Sequence, residues 1–150
     1  MANYECAVRT NYFHVNDEQK FKEYMKKVVA SDDVVSVWEH KDKNGNPVFG
    51  FGCYGPILGL KVSSVDENDA SFSDDYDYDY DLFIDGLARF VEPDDAVIIL
   101  ESGNEKLRYL SGSALIITKY GVEFMEIDDL AARRAAEMLN NPGWQTEMSY

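Results

Sequence analysis

The sequence predicts an α+β fold, an antiparallel sheet with helices on one face, organised as a ferredoxin-like split βαβ core. Three observations predict it. Short runs of aromatic and β-branched residues alternate with stretches of helical periodicity. An Asn44-Gly45 pair joins two of those runs into a hairpin. The elements then follow the order β-α-β-β, an acidic insertion, and α-β-β-β-α. The 150 residues match the size of one domain, and no linker or repeat divides them. The expectation is a single α+β domain over 1–150, with an acidic insertion at 63–79. At 45% hydrophobic residues the chain can build a core without a metal or disulfide.

Tyr4 to Val15 reads as a strand, free of Gly and Pro and rich in strand-favouring side chains. Asn16 is placed to cap a helix, with Gln19 three residues on as its reciprocal partner. Phe21, Tyr24, Met25, Val28 and Val29 then recur at helical spacing and share one face, with Lys20, Lys22, Glu23, Lys26 and Lys27 mostly on the other. Val34 to His40 and Val48 to Tyr54 read as the hairpin strands, because Asn-Gly supplies the positive φ angles of a tight turn. Gly50 and Gly52 fall on one side of the second strand, which implies close approach of backbone or of large side chains. Gly55-Pro56 ends it, and Ile57 to Val62 reads as a short further strand.

The polar segment from Ser63 to Asp79 leads into a second helix. Its apolar face is Tyr80, Phe83, Ile84, Leu87, Phe90 and Val91, and Pro93 closes it. Ala96 to Glu101 reads as a strand and Ser102-Gly103-Asn104 as a loop. Leu107 to Thr118 and Val122 to Ile127 form a hairpin about Tyr120-Gly121. Asp128 is placed to cap a last helix running to about Leu139, before Asn140-Asn141-Pro142-Gly143.

Charge is the main functional clue. The net charge is −14, and its distribution is uneven. Residues 1–65 carry eight acids and eight bases, whereas residues 66–92 carry ten acids against Arg89 alone. Such a field repels phosphates and acidic lipid surfaces and attracts basic protein grooves or cations. Direct nucleic-acid binding is therefore disfavoured. No apolar run is long enough to span a membrane. The N-terminal residues have neither the basic start nor the apolar stretch of an export signal. Cys6 and Cys53 read as reduced core thiols, and the expected location is cytoplasmic.

The run Asp74-Asp75-Tyr76-Asp77-Tyr78-Asp79-Tyr80-Asp81 is the only low-complexity segment. If extended, it places Asp75, Asp77, Asp79 and Asp81 on one side and the tyrosines on the other. Successive carboxylates then lie about 6.6 Å apart, twice the strand rise of about 3.3 Å. That spacing can imitate a row of phosphates, although charge runs more often form solvated loops. The calcium loop pattern fails here: counting from Asp75, its glycine and glutamate positions hold Tyr80 and Gly86. Cys6, His14, His40 and Cys53 offer zinc-type atoms without close ligand pairing, so no metal and no cofactor are expected. Nucleophile-elbow, zinc-protease and phosphate-loop motifs are missing, and Gly50-Phe51-Gly52 lacks the third glycine and following helix of a dinucleotide site. A carboxylate pair for glycoside chemistry leaves no linear signature.

Ala2-Asn3-Tyr4-Glu5-Cys6 with Arg9-Thr10-Asn11-Tyr12-Phe13, Gly50 to Gly55, and Glu105-Lys106-Leu107-Arg108-Tyr109-Leu110 with Gly112 resemble a group of small acidic proteins of bacterial genomes, mobile elements and phages. The resemblance spans both ends of the chain and carries no transferable chemistry, and the Tyr-Asp run lies outside it. Within that context it implies an inhibitor of host defence, of anti-CRISPR or anti-restriction type.

The resulting expectation is a non-catalytic protein that binds the basic surface of a nucleic-acid-handling enzyme by mimicry. Its contact residues are Asp66, Glu67, Asp69, Asp74, Asp75, Asp77, Tyr78, Asp79 and Asp81. Two alternatives stand beside it. One is an interaction or homodimerisation domain working through the sheet near Gly50–Gly55 or an edge strand. The other is an enzyme with an unrecognised carboxylate site.

Overall fold

Strand β1 (Glu5–Thr10) alternates exposed and buried positions along its whole length, as a strand with one covered face must. Cys6, Val8 and Thr10 point to the core, and Glu5, Ala7 and Arg9 point away from it. The computed structural model describes residues 4–32, 34–62 and 77–147. After β1 come α1 (Glu18–Met25), β2 (Val28–Ala30), β3 (Ser36–Lys41), β4 (Pro47–Tyr54) and β5 (Ile57–Val62). Then follow β6 (Asp77–Asp79), α2 (Tyr80–Ala88), β7 (Val97–Glu105), β8 (Tyr109–Thr118), β9 (Gly121–Glu126) and α3 (Ile127–Met138). The α+β expectation holds, and every strand pairing within the sheets is antiparallel.

Six strands form one sheet in the order β3-β4-β1-β7-β8-β9, and a second sheet has the order β2-β5-β6. Helices α1 and α2 cover the core side of the large sheet. Phe21 of α1 packs against Phe13 and Phe49, and Phe83 of α2 packs against Phe51 at 6.2 Å between ring centres. Phe13, Phe21, Phe49, Phe51 and Phe83 are completely buried. Edge-to-face rings of this kind add about 0.5–1.5 kcal/mol per pair beyond area burial. Thr10 is the one buried polar residue of this core among those described; its hydroxyl accepts from the Phe51 amide at 3.0 Å and donates to the Asn11 carbonyl at 2.8 Å.

Several local expectations are corrected. The first helix stops at Met25, and Val28 and Val29 enter β2 opposite Leu60 and Gly59. Branching at Cβ suits those valines to a strand, so tertiary pairing overrides their helical spacing. The cap of α1 is Asp17, which accepts from the Lys20 amide at 3.0 Å. Asn16 instead donates its side-chain amide to the Arg89 carbonyl at 2.6 Å, tying the ends of α1 and α2 together. The predicted strand over 4–15 ends at Thr10, leaving Phe13 and Val15 as single bridges to Phe49 and Val91.

Farther along, α2 ends at Ala88 instead of Val91. Ser102-Gly103-Asn104 is not a loop, because β7 continues through it, paired to β1 on one side and β8 on the other. A Cβ on Gly103 would collide with Cys6 and the Glu5 carbonyl, so glycine there permits a continuous strand. Residue Glu126 occupies the cap position of α3 without a side-chain bond, while Asp128 lies in the first turn and accepts from the Asp129 amide. The helices are not all on one face. A Cβ on Gly112, which points away from the core, would meet the Ile127 side chain, so α3 packs on the opposite side over β8 and β9.

Candidate functional site

Of the nine acidic-run contact residues, Asp66, Glu67, Asp69, Asp74 and Asp75 lie outside the described residues. The other four are divided between two elements. Asp77, Tyr78 and Asp79 form β6, an edge strand in register with Val62, Lys61 and Leu60 of β5. Tyr78 therefore shares a side with Lys61, and Asp77 and Asp79 share the other side with Val62 and Leu60. Asp79 caps α2, accepting from the Leu82 amide at 3.0 Å. Asp81 lies in the first helical turn, so the extended row of carboxylates does not run through it.

A helix starts here because Asp79 offers an acceptor three residues before Leu82 and Tyr80 opens an apolar helical face. Tyr80 packs its ring against Phe83 at 5.9 Å, and burial raises its phenol above the ordinary tyrosine range. Tyr80 thus touches the core through Phe83 while 42% of it stays exposed, and Tyr78 is 49% exposed. Asp81 and Asp85 are both exposed, one helical turn apart. The lysine and arginine ion pairs seen among the described residues lie elsewhere: Lys20 with Asp17, Lys22 with Glu39, Arg108 with Glu105, Arg133 with Asp129 and Arg134 with Glu137. Nearly all of these are exposed local pairs that neutralise their own neighbourhoods.

A second constellation was not legible in the sequence. His14 donates from Nδ1 to Asp95 at 2.8 Å and from Nε2 to Asp42 at 2.7 Å, and its backbone amide reaches the same Asp95 oxygen at 2.7 Å. Two acceptors on opposite ring nitrogens favour the doubly protonated imidazolium. The hydrogen bond from Asp42, then that from Asp95, raises the His14 pKa. Asp42 is lowered chiefly by His14 and also by the Asn46 and Asn44 amides. Asp95 is lowered by hydrogen bonds from His14 and Ala96 despite the opposing desolvation. The cluster joins the segment after β1, the β3–β4 turn and the α2–β7 turn. Partners 28 and 81 residues apart in sequence leave no spacing signal. Because each ring nitrogen faces a different carboxylate, the three groups do not converge on one cation. Among the described residues no group of three or more His, Cys, Asp or Glu is arranged to hold a metal ion.

The face of the large sheet turned away from α1 and α2 is the third feature. Trp38 lies over Gly52, where a Cβ would come within 2.9 Å of the indole, and the Tyr12 ring lies against Gly50. The two same-side glycines thus make room both for the Asn11 and Val8 carbonyls and for the large side chains of Tyr12 and Trp38. The Arg9 guanidinium stacks on Trp38 at 5.3 Å. Tyr54, 71% exposed, and Leu100 continue this surface toward α3. Cys6 and Cys53 lie on the core side, and Cys53 donates to the Gly55 carbonyl. No helix among the described residues is long and apolar enough to cross a membrane.

No protein-family model matches the chain, and neither a curated protein nor a solved structure matches it. The roles of these surfaces therefore rest on their own chemistry.

Proposed function

We propose that this chain is a non-catalytic acidic binding protein that occupies the basic, nucleic-acid-holding surface of an enzyme, as an inhibitor of a CRISPR effector or restriction system would. One observation carries the reading. The stretch from 66 to 92 holds ten acids and one base, and none of the ion pairs among the described residues involves Asp77, Asp79, Asp81 or Asp85. Asp81 and Asp85 are like charges one turn apart, an arrangement that costs a helix a few tenths of a kcal/mol when nothing neutralises it. A partner's Lys and Arg side chains remove that cost on binding. The contact is a strand edge continued by a helical turn, with Asp66, Glu67, Asp69, Asp74 and Asp75 supplying further charge.

The test is capture of a purified nucleic-acid enzyme by the wild-type chain and by a variant with Asp75, Asp77, Asp79 and Asp81 all changed to Asn. Asn caps a helix about as well as Asp, so α2 is retained. Capture that DNA displaces, and that is lost both in the variant and at high salt, supports mimicry. Equal capture by the variant refutes it.

We infer a ferredoxin-like centre for the fold. The order β7-β1-β4-β3, with α1 following β1 and α2 preceding β7, supports that reading. It favours a second function, an interaction or dimerisation domain, because among the described residues no helix covers the sheet face at Tyr54, which is 71% exposed. A Tyr54→Ser change that alters the oligomeric state, while the four-Asn variant does not, would select this alternative.

A further inference from the structure

Strand β3 ends the large sheet, and the short helix α1 does not reach across it. In the β3–β4 register, Val37 faces Phe51 and Glu39 faces Phe49, so both point toward the helix-covered side. Phe49 and Phe51 are completely buried there, yet Val37 is 37% exposed. The mismatch leaves a groove of about 550 Å³ between α1 and β3. Its floor is Met25, Val28, Val37 and Phe49, three of which belong to the buried core. Its size falls within the range of small-molecule sites.

The rim has the opposite character to the chain as a whole. Lys22 and Lys26 stand one turn apart along it. Lys22 meets Glu39 only at 3.8 Å, with both side chains well exposed, and its ammonium also lies 5.6 Å from the Phe49 ring. No ion pair among the described residues involves Lys26. Residues 17–27 hold Lys20 and Lys27 as well, against the acids Asp17, Glu18 and Glu23, and Lys20 pairs with Asp17. In a protein of net charge −14, two lysines thus stand beside this apolar groove.

We propose that this groove binds a single-chain amphiphile with an anionic head, such as an alkyl carboxylate or alkyl sulfate. The tail lies over Met25, Val28, Val37 and Phe49, where it covers apolar surface that the short helix leaves open. The head meets Lys22 and Lys26, replacing the long contact to Glu39. Charge complementarity selects the head: Lys22 and Lys26 outnumber Glu39 in the lining and attract an anion, which displaces Glu39 from Lys22. The proposal is independent of the acidic-run reading.

Amide shifts in NMR spectra of the full chain, titrated with decanoate and decyl sulfate below their micellar concentrations, test it. Saturable shifts confined to the second half of α1 and to β3 are expected at or below about 1 mM. Decanol and decyltrimethylammonium should bind at least about tenfold more weakly, since they lack the anionic head. Val37→Trp fills the groove and should abolish the shifts. Lys22→Glu with Lys26→Glu, which alters only exposed side chains, should weaken decanoate about tenfold and leave decanol unchanged. No saturable shift, equal affinity for decanol, or shifts that persist in Val37→Trp would overturn the proposal. Phosphatidylglycerol vesicles distinguish the source of the amphiphile: the net negative chain should stay in the supernatant, whereas cosedimentation would mark a lipid surface as the ligand and overturn the groove model.

Discussion

Replacing His14 by Gln removes an imidazolium that holds three turns together, and the consequence depends on pH. The His14 pKa is raised from 6.5, so its contribution is fully present below 6.5 and is lost as pH rises through the folded value. Asp42 and Asp95 are lowered from 3.8, so their contribution is present above 3.8 and is lost as pH falls through their folded values. The cluster therefore stabilises the fold most between these ordinary values, from 3.8 to 6.5. A charge-assisted hydrogen bond contributes about 1.5–3 kcal/mol when shielded from water. With the His14 side chain 41% exposed, screening reduces its pair with Asp95 to about 1 kcal/mol. For a domain of this length that corresponds to about 2–4 °C in Tm. Urea unfolding followed by tryptophan fluorescence should show wild type exceeding His14→Gln by about this amount at pH 5.5, with the gap shrinking toward pH 9. A gap that widens above pH 7, or an NMR titration placing the folded imidazole below 6.5, would refute the clamp.

Two further outcomes follow from buried and capping contacts. Thr10→Val keeps the volume of a side chain only 2% exposed but strips the acceptor from the Phe51 amide, so it should cost about 1–3 kcal/mol while Thr10→Ser retains most of the stability. Calorimetric Tm values for the two variants should separate by several degrees, and coincident values would mean that the hydroxyl bond is dispensable. Asp79→Ala removes the α2 cap and should cost about 1 kcal/mol, whereas Asp79→Asn should stay near wild type. Equal losses in both, measured by chemical denaturation, would show that Asp79 acts through its charge instead of its cap.

The β3–β4 hairpin and the helical faces that supply Phe21, Met25, Phe83 and Leu87 were readable because turn chemistry and periodicity are local. So were the paired clearances at Gly50 and Gly52, and the concentration of acids near the start of α2. The exact ends were less readable. Asn16 and Asp17 are both good caps, and only the Arg89 carbonyl across the fold assigns Asn16 to another task. Val28 and Val29 satisfy a helical period and a strand equally, and pairing with β5 decided between them. The alternating Tyr-Asp run suggested an extended ladder, but the capping bond to Leu82 turns it into a helix after Asp79. His14, Asp42 and Asp95 carry no linear pattern, because their meeting depends on where three separate turns are placed. Composition and local periodicity determined the α+β class, the core residues and the location of the charge. Only the tertiary structure decided that α3 crosses to the far face, that an imidazole bridges two carboxylates, and that α1 falls short of β3 and leaves a lysine-rimmed groove, since each is a contact between residues distant in the chain.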